Sequence, residues 1–328
     1  SALIITHSHV DHFGGAKGVL TEEDIASRNV PVIAPEGFFE ESVSENLLAG
    51  NAMSRRATYM FGSLLKKEPK GSLGSGLGTT VSNGTVTILK PTIEITKTPT
   101  ELTVDGIKMT FLNTPGAEAP AELMFFIHPF NAMMQAEEIN HTFHNLYTLR
   151  GAHVRDGLSW SKFIDEAARL FSDAEVYLGS HHWPAWGNDN VISFLEKQRD
   201  TYKFLHDQTV RLLNEGYTGP EIAEQLQMPE ALAENFATRG YYGTVRHNAK
   251  AVYQMYMGWY DGNPAKLNPL PDEQASPRYV AAMGGKDNVR TLAEEAYQSG
   301  DYRWAAELLN RLVFAGFDDD EVTELLAA

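Results

Sequence analysis

The sequence predicts an α/β fold followed by an all-helical region, and three observations carry that reading. Up to about Pro184, short β-branched and aromatic runs alternate with Gly, Pro and Asn punctuation. From Asp189 onward, apolar positions recur at helical spacing. At the start, the aliphatic run Ala2-Leu3-Ile4-Ile5 delivers the chain into Thr6-His7-Ser8-His9-Val10-Asp11-His12, a cluster of ligand-type residues at the end of a strand.

The elements follow in order. Strands are expected at residues 3–6, 30–34, 85–89, 107–112, 123–128 and 174–178, each bounded by turn residues. Helices are expected between them at 36–49 and 159–171, the second with Trp160, Phe163, Ile164, Ala167 and Leu170 on one stripe. The Gly-rich stretch 71–78 lacks the Gly-Lys-Ser/Thr ending of a phosphate-binding loop and reads as a loop near the site. A long helix is expected at 191–214, stopped by Gly216, and Thr218-Gly219-Pro220-Glu221 has the form of a capped helix start. The stretch 245–260 carries Val252, Met255, Tyr256 and Trp259 at helical spacing, a core that a second subunit could share. After the Pro-rich stretch 268–272, helices at 288–298, 302–314 and 319–326 include one unit of helical-hairpin form. The expected organisation is therefore 1–188, 189–271 and 272–328.

Composition narrows the function classes. The chain has 27 Lys and Arg against 43 Asp and Glu, a formal charge of −16, which argues against nucleic acid as a partner. An anionic substrate would need local cations, and bound metal ions are the obvious source. No cysteine is present, so any metal ligands must be His and carboxylate. No apolar run is long enough to span a bilayer, and no signal-peptide pattern precedes the first strand. Because Ser1 leads almost at once into that strand, the chain reads as a piece of a longer protein.

Three imidazoles and a carboxylate within six positions make a metal-ligand cluster. On an extended backbone, residues two apart point the same way, so His7 and His9 can share one ion while Asp11 and His12 turn to a neighbour. This spacing suits two metals better than one.

Five further motifs complete a pattern that resembles the zinc-dependent alkyl sulfatases, a branch of the metallo-β-lactamase superfamily. They are Thr114-Pro115-Gly116-Ala117-Glu118-Ala119-Pro120, Ala136-Glu137 with His141-Thr142-Phe143-His144-Asn145, Arg150-Gly151-Ala152 with Arg155-Asp156, Gly179-Ser180-His181-His182-Trp183-Pro184, and Tyr241-Tyr242-Gly243-Thr244-Val245-Arg246-His247-Asn248. The resemblance implies an αββα sandwich of metallo-β-lactamase type, incomplete at its N-terminus, over 1–188, and an all-α dimerisation domain over 189–271 that residues 272–328 continue.

The resemblance also implies a ligand set. His7, His9 and Glu118 would hold one zinc, Asp11, His12 and His182 the other, and Glu137 would bridge them. Glu138 and His181 are the neighbouring alternatives. In the superfamily the place of Glu118 usually holds a histidine. Arg150 would grip the sulfate with its planar fork, and Asn83 would stand near the sulfate on the loop before the Glu118 turn, where no Tyr is found. An apolar channel for the alkyl chain could run along Tyr59-Met60-Phe61 with Leu64 and Leu65, or along Trp183 and Trp186.

The implied activity is hydrolysis of an alkyl sulfate ester such as dodecyl sulfate, by water activated at two zinc ions, with Glu137 and Arg150 in catalytic roles. The implied state is a homodimer, and the implied setting is periplasmic or secreted in a bacterium. The rivals are lactone, thioester or β-lactam hydrolysis on the same fold, and a non-catalytic helical dimerisation module.

Overall fold

A computed structural model describes residues 1–80 and 84–328, apart from the side chains of Glu45 and Asn46. It divides into two compact units, Ser1–Trp259 and Tyr260–Ala328.

The first unit opens with β1 (Leu3–Ile4), the single-turn α1 (Val10–Phe13) and α2 (Glu22–Arg28), followed by β2 (Val32–Pro35), α3 (Phe38–Leu48), α4 (Gly50–Met60) and β3 (Ile93–Ile95). β1, β2 and β3 form a parallel three-stranded sheet in that order. Next come β4 (Thr100–Val104), β5 (Ile107–Asn113), β6 (Leu123–Ile127), β7 (Ala132–Met134), α5 (Gly157–Leu170), β8 (Val176–Leu178) and β9 (Ala185–Trp186). These strands make a six-stranded sheet in sequence order, antiparallel except where α5 crosses over and makes β7 and β8 parallel.

Side-chain alternation in the strands sets the layers. In β2, Ile33 joins Phe111, Leu123 and Phe125 of the second sheet in the core between sheets, while Val32 and Ala34 pack with Ile25 and Phe38 of the helices outside. In β5 and β6, Leu112, Met124 and Phe126 face the opposite way, onto Trp160, Ile164 and Ala167 of α5. Helices, sheet, sheet and helices therefore stack as the αββα sandwich that the resemblance implied. Leu170, expected on the buried stripe of α5, is exposed in its last turn.

The region expected at 85–89 as a strand is not one. Thr87 spends its backbone N–H (2.8 Å) and hydroxyl (2.9 Å) on the carbonyl of Gly14, so this extended chain braces the turn after α1 rather than pairing in a sheet. The sheet position goes to Ile93–Ile95.

The helical region begins with α6 (Asn188–Asn214) and continues through α7 (Gly219–Gln225), α8 (Glu230–Ala233) and α9 (Val245–Met257). α6 shares the α5 core, with Tyr202 stacked on Trp160 at 4.4 Å between ring centres. α9 stops at Gly258, whose φ of +74° suits glycine. Val252 is buried there, but Tyr256, Met257 and Trp259 are exposed in the single chain.

The second unit contains α10 (Asp272–Ala282), α11 (Lys286–Gln298), α12 (Tyr302–Phe314) and α13 (Asp320–Ala327), around Val280, Val289, Ala293, Leu308, Leu312 and Val322. α10 tolerates Pro277 in its interior and escaped the sequence reading for that reason. Among the described residues, no helix is long and apolar enough to cross a membrane.

Candidate metal centre

The opening histidines gain their geometry from a short backbone ladder. After β1 the chain runs beside the start of β6, with Ser8 N–H donating to Ala121 (3.1 Å) and Leu123 N–H to Thr6 (2.9 Å), so that His7 and Glu122 face each other in an antiparallel bridge. This places His7 and His9 on the same side, and α1 then turns Asp11 and His12 inward from a second direction.

Two groups of donor atoms result. One holds His7, His9, Glu118 and Glu137, all buried, and the other holds Asp11, His12 and His181 nearer the surface, each group within 4.8 Å. His9 Nδ1 lies 2.8 Å from Glu118 Oε2. Glu137 Oε2 lies between the groups, 3.4 Å from His7 Nε2, 3.1 Å from His12 Nε2 and 3.4 Å from His181 Nε2.

The second oxygen of each buried carboxylate is already occupied. Arg155 Nη2 donates to Glu118 Oε1 at 2.5 Å, and His144 Nε2 lies 3.1 Å from Glu137 Oε1. Both Oε2 atoms are thus turned toward the imidazoles. Outer partners of this kind orient ligand heads in metal sites. His144 is held by α9, where Asn248 Nδ2 donates to its carbonyl (2.9 Å) and Asn248 Oδ1 accepts from Leu146 (2.9 Å). Gly243 lets the neighbouring loop approach, since a Cβ there would sit 2.5 Å from the His144 carbonyl oxygen.

The electrostatics fit a cation site. Burial, with the neighbouring His12, pulls the His7 imidazole down to about 4, leaving it neutral and able to offer a lone pair. Burial acts on His12 in the same sense but is outweighed by its bonds to Asp11 and Glu137, which raise it to about 10. Burial also opposes ionisation of Glu137, yet the imidazoles of His12, His144, His181 and His7 hold its carboxyl well below the usual range. His7 Nε2 and Glu118 Oε2 are fully buried with no well-aligned hydrogen bond among the described residues, although Glu137 Oε2 lies 3.4 Å from the first and His9 Nδ1 2.8 Å from the second. Buried donor atoms crowded in this way are rarely left unsatisfied, and a divalent ion between them would satisfy both. An all-His and carboxylate donor set suits zinc-like ions.

Two expected alternatives separate here. Glu137 faces the imidazoles, whereas burial pushes the Glu138 carboxyl well up, beside Thr114 and away from them. His181 is brought into the second group, and His182 is not. At His182 the backbone turns left-handed (φ +72°), which sends its ring toward His141 and Trp183 instead.

Beside the centre lies a cleft of about 580 Å³, walled by Met53, Ala57, Phe61, Leu77 and Val86 and by the polar residues Arg150, Arg155 and Tyr242. Arg150 Nη1 donates to the Gly151 carbonyl (3.0 Å) and meets Met53 Sδ at 3.4 Å. Burial raises the Tyr242 hydroxyl to about 12, so it is protonated at neutral pH. Of the expected channel residues, Phe61 lines this cleft and Trp183 lines another, while Tyr59, Leu64, Leu65 and Trp186 are exposed. Asn83 lies outside the described residues.

Sequence reasoning gave no role to His144, Arg155, Tyr242 or Glu122. The first three stand inside motifs already singled out. Glu122 closes the stretch 113–122 after β5 in which a further donor is expected, but its residue type and position there assign it no role.

Comparison with known proteins agrees with this architecture. A model of the metallo-beta-lactamase superfamily matches residues 1–102, and a model of the alkyl sulfatase dimerisation family matches residues 218–328. A linear primary-alkylsulfatase from Pseudomonas sp. is 50% identical over 315 residues, covering 96% of this chain and 47% of the relative. An alkyl/aryl-sulfatase from Saccharomyces cerevisiae is 49% identical over 326 residues, covering 99% and 50%. The solved structure of a stereoselective inverting sec-alkylsulfatase from Pseudomonas sp. superposes with a TM-score of 0.95 at 41% identity, covering 99% of this chain and 52% of that one. The chain spans about half the length of these relatives.

Proposed function

Since this chain belongs with the alkyl sulfatases of the metallo-β-lactamase superfamily, we propose that it hydrolyses alkyl sulfate esters of the dodecyl sulfate type to alcohol and sulfate at a two-zinc centre. His7, His9 and Glu118 would hold one zinc and Asp11, His12 and His181 the other, with Glu137 standing between the two groups. The observation that carries the reading is the position of Glu137 Oε2 within 3.4 Å of imidazoles from both groups, beside a cleft with two guanidiniums, Arg150 and Arg155, and one apolar wall.

When bound, such ions supply Lewis acidity and bring the ionisation of water close to neutral pH. The chain's own residues supply the rest. Arg150 presents a planar fork to the sulfate oxygens and offsets the negative charge that grows there as the ester bond breaks. Arg155 is engaged by Glu118 and Asn145, so it orients a ligand rather than gripping substrate. Met53, Ala57 and Phe61 line one wall of the cleft and take the alkyl chain. In the homodimer, exposed Tyr256, Met257 and Trp259 at the end of α9 and beyond it are covered by the partner.

The test is zinc-loaded protein assayed against dodecyl sulfate, a lactone and nitrocefin. Release of inorganic sulfate with little turnover of the other two is expected. Preference for the lactone or nitrocefin would move the reading to another hydrolysis on the same fold, and zinc uptake without any turnover would favour the non-catalytic module.

A further inference from the structure

The segments that carry the buried ligands meet at one side chain that the proposed chemistry does not use. Glu122, just before β6, is fully buried. Its Oε2 accepts the backbone N–H groups of Glu118 (3.0 Å) and Ala119 (3.1 Å), and its Oε1 accepts that of Glu137 (3.2 Å). Its own backbone faces His7 in the antiparallel bridge, and its carbonyl accepts the Thr114 N–H at 2.9 Å. Among the described residues, no other side chain is seen to bond the backbones of both ligand carboxylates. Arg155 also grips the Glu118 backbone, through its carbonyl, and together with His144 orients the carboxylate heads from outside.

We propose that Glu122 is a positioning residue of the metal centre: by gripping the backbones of Glu118 and Glu137 with its two oxygens, it sets their separation and so the affinity for the ions they hold. The inference rests on the reading of these two carboxylates as ligands. A carboxylate is the side chain that fits the task. Glutamine offers one acceptor oxygen and turns an NH₂ group toward an N–H donor, and aspartate falls one methylene short of reaching both loops.

The test compares wild type with Glu122→Gln and Glu122→Asp, each checked for folding by far-UV circular dichroism. Zn²⁺ affinity is read by competition with a chromophoric chelator, and ligand geometry by the visible spectrum of the Co²⁺-loaded protein. Folded variants are expected to bind Zn²⁺ about 10–100-fold more weakly, the range typical of outer-shell substitutions, and to show an altered Co²⁺ spectrum. Unchanged affinity and spectrum together with a lower melting temperature would make Glu122 a structural brace only and overturn the proposal. Should Glu122→Gln not fold, Glu122→Asp, which keeps the carboxyl group, carries the same expectation. Failure of wild type to take up Zn²⁺ would instead overturn the metal-centre reading on which the proposal stands.

Discussion

His7, His9, Glu118 and Glu137 come from segments that hydrogen-bond one another through Glu122 and are nearly closed to solvent, whereas Asp11 and His12 stand on a four-residue helix and His181 on the loop after β8. The Asp11 side chain is 37% exposed and that of His181 18%, against 2% for Glu118. Each buried carboxylate has its outer oxygen fixed by a named partner, Arg155 or His144, while Asp11 is met by His12 at 3.3 Å and His181 at 3.7 Å, both of its own group. Preorganised, desolvated donors hold a cation without paying to reorder it, and less braced, more exposed ones such as Asp11 hold it less firmly. The difference teaches that two donor groups meeting at one carboxylate can differ in burial and bracing, and on the proposed reading the better-braced group would hold its ion more firmly.

The comparison breaks most visibly at that shared carboxylate. Glu137→Gln is expected to weaken both ions together and to lower sulfate release by at least about 100-fold, measured by metal analysis and ion chromatography. Loss of only one ion would mean that Glu137 does not bridge.

The second group is sharpened by neighbouring histidines. His181→Ala is expected to weaken the second ion by roughly 10–100-fold in chelator competition and leave the first in place. His182→Ala, whose ring points to His141 and Trp183, is expected to change the affinity of either ion less than about threefold, a marginal free-energy effect.

Away from the ions the expected effects are smaller. Arg150→Lys keeps the charge but loses the fork, and a KM for dodecyl sulfate about tenfold higher with unchanged metal content is expected from steady-state kinetics. Phe61→Ala is expected to raise KM severalfold for a dodecyl ester and scarcely for a short-chain ester, since the burial lost is worth about 1–2 kcal/mol. Equal effects on both esters would put the alkyl chain elsewhere.

Much of this architecture is legible in the sequence because burial writes a period. Met124 and Phe126 against Leu123 and Phe125 reveal a strand covered on both faces, and Trp160, Ile164 and Ala167 reveal the helix that covers one of them. What was missed lacks such a period. Ile93–Ile95 is three residues long, and 85–89 has strand composition but finds its partner in a turn. The clustering of His7, His9, Asp11 and His12 just after β1 and on α1 is legible from spacing alone. Which of His181 and His182 stands with Asp11 and His12 is not legible from spacing; in the structure it is His181, while His182 takes a left-handed φ with its ring beside His141 and Trp183. Glu122 was invisible for a different reason. A carboxylate that serves backbone N–H groups looks, in sequence, like any loop glutamate.

The central claim is a pair of ions sharing Glu137, and an anomalous difference map at the zinc edge from zinc-soaked crystals tests it most directly. Two peaks about 3.5–4 Å apart are expected, the spacing usual for two-metal sites, with Glu137 between them and His181 on the outer one. A single peak, or an outer peak bound by His182, would contradict it.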